Sequence, residues 1–172
     1  MCTVAHDHPA ERQRVVLVSG LSGAGRASIL RALEDVGYEA IDNPPTEAIE
    51  DLVADGPPDP SRRVAVGVDV RSRGLNVDAL LDVLARLKGA PGLRTELVFA
   101  WADEAVLLRR FTETRRRHPL SPQGRVSDGI AAEQAQTAPL HAAADLVLDT
   151  SALSLAGLRQ WIDRRFGPDA RD

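Results

Sequence analysis

Along the chain, apolar β-branched runs alternate with stretches of helical periodicity. The run "RVVLVS" at 14–19 predicts a strand. The segment 27–36 predicts the helix after it, with Ile29, Leu30, Leu33 and Val36 sharing one face at spacings of three and four. A short strand at 39–41 precedes "DNPPTEAIEDLVADG", in which Thr46 reads as the N-cap of a second helix and Gly56 as its end; "GPPDPSRR" is a loop. "VAVGVDV" at 64–70 is apolar almost to its end, as a strand covered on both faces must be, and a helix follows from about 78 to 88. "TELVFAWA" at 95–102 is the fourth strand. Its helix runs from 103 to about 118, stopped by Pro119, and another helical stretch covers about 127–138. "ADLVLDTS" at 144–151 is the fifth strand, and a helix at 155–166 closes the pattern.

Strands separated by helices of this length require right-handed crossovers and a parallel sheet with helices on both faces. The expected fold class is therefore α/β, a P-loop NTPase-like three-layer sandwich around a five-stranded parallel sheet. No internal repeat interrupts it, and the loop at 56–63 is too short to divide it. The expected organisation is a leader at 1–13, one domain at 14–167 and a tail at 168–172.

Composition narrows the classes. Aromatic residues make up 3% of the chain, so the core must be built from Val, Leu, Ala and Ile. A formal charge of -4 argues against a broad nucleic-acid footprint, which needs basic surface to displace phosphate counterions. The one cysteine, Cys2, excludes an internal disulfide. No apolar run approaches the roughly 20 residues that span a bilayer, and "MCTVAHDHPAERQ" lacks a hydrophobic signal core, so a cytoplasmic protein without membrane contact is expected. Cys2, His6 and His8 carry zinc-type donors, but no fourth ligand is suitably spaced, and they read as part of a frayed terminus rather than a metal site.

"SGLSGAGRAS" carries the chemistry. A P-loop is G-x-x-x-x-G-K-[ST] between a strand and a helix, because glycines let backbone N–H groups curl around phosphate oxygens and the helix dipole adds to them. Gly20 and Gly25 have that spacing and context, which makes Gly20, Leu21, Ser22, Gly23, Ala24, Gly25, Arg26 and Ala27 the candidate nucleotide loop. Arg26 keeps the positive charge of the usual lysine on a bulkier planar fork. Ala27 replaces the hydroxyl that binds magnesium, and Ser28 is one residue, about 100° of helix, too late to replace it. These substitutions predict weak ATP or GTP binding, a poor Mg2+ site and little hydrolysis.

Several ordered motifs beyond the loop carry a family resemblance: "SGLSGAG" then "LRALEDVGY", "DNPP", "DVRS", "ETRRRHPL" and "ADLVLDTS". Over about residues 15–166 the chain resembles the amino-terminal P-loop domain of the RapZ family of RNase adapter, nucleotide-binding proteins. The resemblance implies ATP at the glycine loop and GTP near Asp69, Val70, Arg71 and Ser72. It further implies a regulatory role in which members deliver a small RNA to a ribonuclease and sense an amino-sugar phosphate. The family's carboxy-terminal domain, tied to RNA and sugar-phosphate recognition, has no counterpart here, so RNA is a partner by resemblance only and tight RNA binding is not expected. A protein partner, or a second copy of the chain in a homo-oligomer, is the remaining expectation. Gln134, His141 and Ala143 stand where relatives usually carry arginine, which thins the positive charge further.

Other residues have two readings each. Asp69 closes the third strand, where a carboxylate can orient magnesium through water or simply end a turn. Asp42 and Asn43 end the second strand on the ligand-binding edge, yet Asp-Asn-Pro-Pro is also strong turn chemistry, which is the reading preferred here. Arg109, Arg110, Arg115, Arg116, Arg117 and His118 form the densest basic cluster. Arg115 and Arg116 are the preferred phosphate contacts, against the alternative that late-helix cations stabilise the helix dipole. Trp101 and Trp161 read as packing anchors. Three readings remain: a regulatory nucleotide-binding module, a small-molecule kinase or NTPase in which Arg26 and Ser28 replace the missing groups, and a structural scaffold with an empty loop.

Overall fold

The computed structural model describes residues 12–54, 56–57, 59–69 and 76–168. Cys2, His6 and His8, and Val70, Arg71 and Ser72 of the segment assigned to GTP, lie outside the described residues.

Five parallel strands form one sheet: β1 (Gln13–Gly20), β2 (Glu39–Asp42), β3 (Arg63–Gly67), β4 (Leu93–Trp101) and β5 (Leu146–Asp149), in the order β2-β3-β1-β4-β5. The helices are α1 (Arg26–Asp35), α2 (Ile49–Val53), α3 (Val77–Gly89), α4 (Glu104–Glu113), α5 (Val126–Ala143) and α6 (Leu155–Phe166). Helix α1 packs against α6, whereas α3 and α4 pack against α5, giving an α/β sandwich. The core is aliphatic as composition requires: Val15, Leu17, Val18, Val64, Ala65, Val66 and Val98 of the three central strands are fully buried.

Strand β1 lies between β3 and β4; the chain places β2 and then β3 on one side of it before crossing to β4 and β5 on the other. The carboxyl end of β1 is therefore the topological switch point, where open α/β sheets leave a crevice. Gly20, the last residue of β1, pairs with Ala100. A Cβ at Gly20 would collide with the Ala100 carbonyl oxygen, and φ is 149°, so only glycine lets the chain leave the sheet here.

Four expected boundaries are corrected. Thr46 is not an N-cap: Thr46–Ala48 is a 3-10 turn after Pro45, running into α2, which ends at Val53, before Gly56. Helix α4 stops at Glu113, well short of Pro119. The Arg116 N–H donates to the Phe111 carbonyl and the Arg115 N–H to that of Thr112, while Arg115 takes a left-handed φ of 52°. This is a Schellman turn, built here with arginine where glycine is usual. Helix α5 runs through Pro139 to Ala143. Fully buried Leu140, and the His141 ring stacked at 5.0 Å on Phe99, hold the helix beyond the missing N–H.

Candidate functional site

The glycine loop passes from β1 into α1 through Gly25, whose φ of 104° is left-handed. Gly25 supplies no side-chain cap, so among the described residues the N–H groups of the first turn of α1 have neither an intrahelical nor a capping partner. They open onto a cleft of about 230 Å³ lined by the loop, Ser28, Asp69 and Arg116. Uncapped amides, a helix dipole and a guanidinium around one small space make an anion-binding arrangement.

The loop's shape is fixed from behind. Arg110 on α4 donates from Nη1 to the Gly23 carbonyl at 2.9 Å and from Nη2 to the Thr150 carbonyl at 2.8 Å. The Thr150 hydroxyl, just past β5 and buried, donates to the Ala24 carbonyl at 2.6 Å. Burial, and then the neighbouring Arg109, push the Arg110 pKa below its usual value, while Asp149 and Glu113 oppose the shift.

From the other side, the loop is held by Glu133 of α5. Its carboxylate accepts the Ser22 N–H at 2.5 Å and the Ser22 hydroxyl at 2.6 Å. It also lies 3.6 Å from Nε2 of His118. Glu133 is 1% exposed and His118 fully buried. The imidazole Nδ1 accepts the Leu120 N–H, and the ring packs against Phe111 and over Gly129, where any Cβ would overlap it. His118 therefore leaves the candidate phosphate cluster: it is core, and it ties the arginine-bearing segment to α5.

The basic cluster is divided among separate tasks. Arg116 lines the cleft, carried there by the turn at Arg115, and Arg115 is not part of the lining. Arg109 pairs with Glu113 along α4, and Arg117 donates to the Pro122 carbonyl.

Arg26 points to the far side of the cleft. Its guanidinium is 3.7 Å from Asp42 at the end of β2 and 3.6 Å from Asp69 just past β3. Asn43 takes a left-handed φ of 53°, and its side-chain oxygen accepts the Asp69 N–H at 3.2 Å, so the turn reading of this pair accounts for its geometry. Among the described residues no group of three or more His, Cys, Asp or Glu is placed to hold a metal ion. A magnesium ion does not fit the oxygens available: Ala27 has no hydroxyl, and both strand-end carboxylates face a guanidinium.

A second cleft, of about 260 Å³, opens on the other side of the loop between Arg110, Leu153, Leu155 and Leu158, and shares Gly23, Gly25 and Ser28 with the first. The turn below it is set by Asp149, which accepts the Ser151 hydroxyl and N–H; these bonds hold its carboxyl below the usual range. With the folded-state pKa depressed, this contribution to stability is present above about pH 4 and is lost as pH falls through the lowered value. Ser151→Ala removes the hydroxyl but keeps the N–H, so an NMR titration of Asp149 in that variant is expected to show the carboxyl moved part of the way back toward the ordinary range; an unchanged midpoint would refute the hydroxyl as a cause.

Glu133 and Thr150 are the site residues that sequence reading did not single out; Arg110, named in the basic cluster, braces the loop from behind. Glu133 left a trace, as an acid within the otherwise non-ionisable stripe Gly129, Ile130, Thr137 and Leu140 that α5 buries.

Comparison with known proteins places this geometry. A family model described as the RapZ-like N-terminal domain matches residues 13–170. A nucleotide-binding protein of Acidiphilium cryptum is 56% identical over 154 residues, covering 90% of this chain and 49% of that protein. Another, from Gluconacetobacter diazotrophicus, is 51% identical over 168 residues, covering 98% and 46%. The chain thus spans about half the length of the curated relatives it matches. Among solved structures, shikimate kinase from Acinetobacter baumannii in complex with shikimate superposes with a TM-score of 0.61 at 17% identity, covering 88% of this chain and 92% of that one. A gluconokinase from Sinorhizobium meliloti gives 0.53 at 22%, covering 87% and 90%. These two likenesses show the fold: a P-loop kinase-like α/β sheet.

Proposed function

The chain belongs to the family of RapZ-like N-terminal domains, and on that premise we propose that it is a regulatory nucleotide-binding module that takes ATP or GTP weakly and hydrolyses little or none. The observation that carries this reading is the uncapped start of α1 opening on a cleft faced by Arg116. Phosphates would lie against the amides of residues 23–27, with Arg116 across from them. The second cleft, with its leucines and the Arg110 guanidinium, has the size and mixed character for a planar base. The loop lacks the hydroxyl that phosphoryl transfer uses, which favours binding over turnover. By the same resemblance, the module would act through a protein partner or a second copy of itself, with RNA secondary. No helix among the described residues is long and apolar enough to cross a membrane.

The kinase or NTPase reading has one observation in its favour: the Asp42 side chain is 62% exposed at the carboxyl edge of the sheet, where an acceptor could reach it. Turnover that disappears in Arg26→Ala would establish that reading.

Thermal melting with ATP and GTP tests the proposal. A ligand at 100 times its Kd adds about 2.7 kcal/mol, and a melting rise of about 5–10 °C is expected for a domain of this size. In Arg116→Ala the affinity should fall about tenfold, the worth of one charge-assisted hydrogen bond. The unliganded protein should melt as before, because Arg116 is exposed. If neither nucleotide moves the transition, the proposal fails.

A further inference from the structure

Arg26 occupies the lysine position of the loop and lines the cleft, with its guanidinium at the strand-end acids. Its guanidinium lies between two carboxylates that arrive from different strands, Asp42 at 3.7 Å and Asp69 at 3.6 Å. These separations exceed hydrogen-bond length, and the buried Nε takes no hydrogen-bond acceptor among the described residues. Charge, rather than directed bonding, sets its orientation. The Arg26 side chain is 20% and that of Asp69 14% exposed, so the attraction between them is only partly screened, whereas Asp42, 62% exposed, contributes the weaker pull. The backbone that carries the two carboxylates is fixed: β2 and β3 pair in register with Asp42 opposite Gly67, and Asn43 holds the Asp69 N–H.

In P-loop proteins an acidic residue of this kind, with the loop hydroxyl, holds the Mg2+ that accompanies the phosphates. Here the hydroxyl is absent and the acids already have a cation, one that is covalently part of the chain. We infer that Arg26 is the resident cation of this site: clamped by Asp42 and Asp69, it excludes divalent metal and makes the loop a receptor for nucleoside polyphosphates in their metal-free form. The inference rests on the nucleotide reading above and specifies which ionic form of the ligand that site accepts.

Calorimetric titration with ATP, in EDTA and in excess MgCl2, tests the ligand. Wild type is expected to bind ATP no more tightly with magnesium than without it. In Arg26→Ala the two carboxylates lose their cation, and magnesium should then tighten ATP binding several-fold. A wild type that binds about tenfold more tightly with magnesium, or an Arg26→Ala protein without any magnesium response, overturns the inference.

A second measurement needs no nucleotide. Mn2+ should leave the NMR amide signals of Asp42 and Asp69 sharp in the wild type and broaden them in Arg26→Ala. Asp42→Asn in the same background should reduce the broadening. Broadening in the wild type overturns the role of Arg26 even if nucleotide binds. Absence of ATP binding in every protein, with the manganese pattern as expected, overturns the nucleotide reading itself and with it the ligand assigned here.

Discussion

The Glu133→Ala protein is expected to melt about 10 °C below the wild type. Its carboxylate, 1% exposed, receives both donors of Ser22 and faces buried His118. Truncation leaves the part-buried N–H and hydroxyl of Ser22 without their acceptor and the buried imidazole without its carboxylate neighbour. A hydrogen bond to a charged group is worth about 1.5–3 kcal/mol, so losing both Ser22 bonds costs about 3–6 kcal/mol. In a domain of this size each kcal/mol is worth about 2–4 °C. Glu133→Gln keeps one oxygen toward Ser22 but presents its amide donors to the same corner, so it should fall between the two. Calorimetric scans of the three proteins decide it: a Glu133→Ala transition within about 2 °C of wild type, the worth of at most about 1 kcal/mol, would mean the network contributes little.

Changing Arg26 to lysine and Ala27 to serine together should tighten binding of magnesium ATP by about ten- to a hundredfold. The serine restores an oxygen at the first turn of α1, and the slimmer ammonium can leave Asp42 and Asp69 to reach the phosphates. A hydrogen bond to a charged group is worth about 1.5–3 kcal/mol, which is that range of affinity. The double variant also supplies the metal's hydroxyl ligand, which freeing the two carboxylates alone does not. Equal affinity in the variant and the wild type would show that something other than these two positions limits the site.

The strands were legible because β1, β3 and β4 are covered on both faces and read as unbroken apolar runs. The glycine loop was legible because phosphate-binding backbone needs glycine at fixed spacing. Helix α4 was read too long because its stop is a left-handed arginine, and nothing in "TETRRRH" marks that turn as glycine would. Pro139 looked like an end, yet Leu140 and His141 packing outweighs one lost hydrogen bond. Arg26 announced its charge but not its direction, since Asp42 and Asp69 meet it only after β2 and β3 pair. Glu133 is more than a hundred positions from Ser22, and no local rule joins them.

The grip of Arg110 and Thr150 on the carbonyls of Gly23 and Ala24 has an outcome for recognition. A receptor whose wall is already braced spends little conformational freedom when a guest arrives, so it selects by charge and shape at first encounter and not by folding around what it meets.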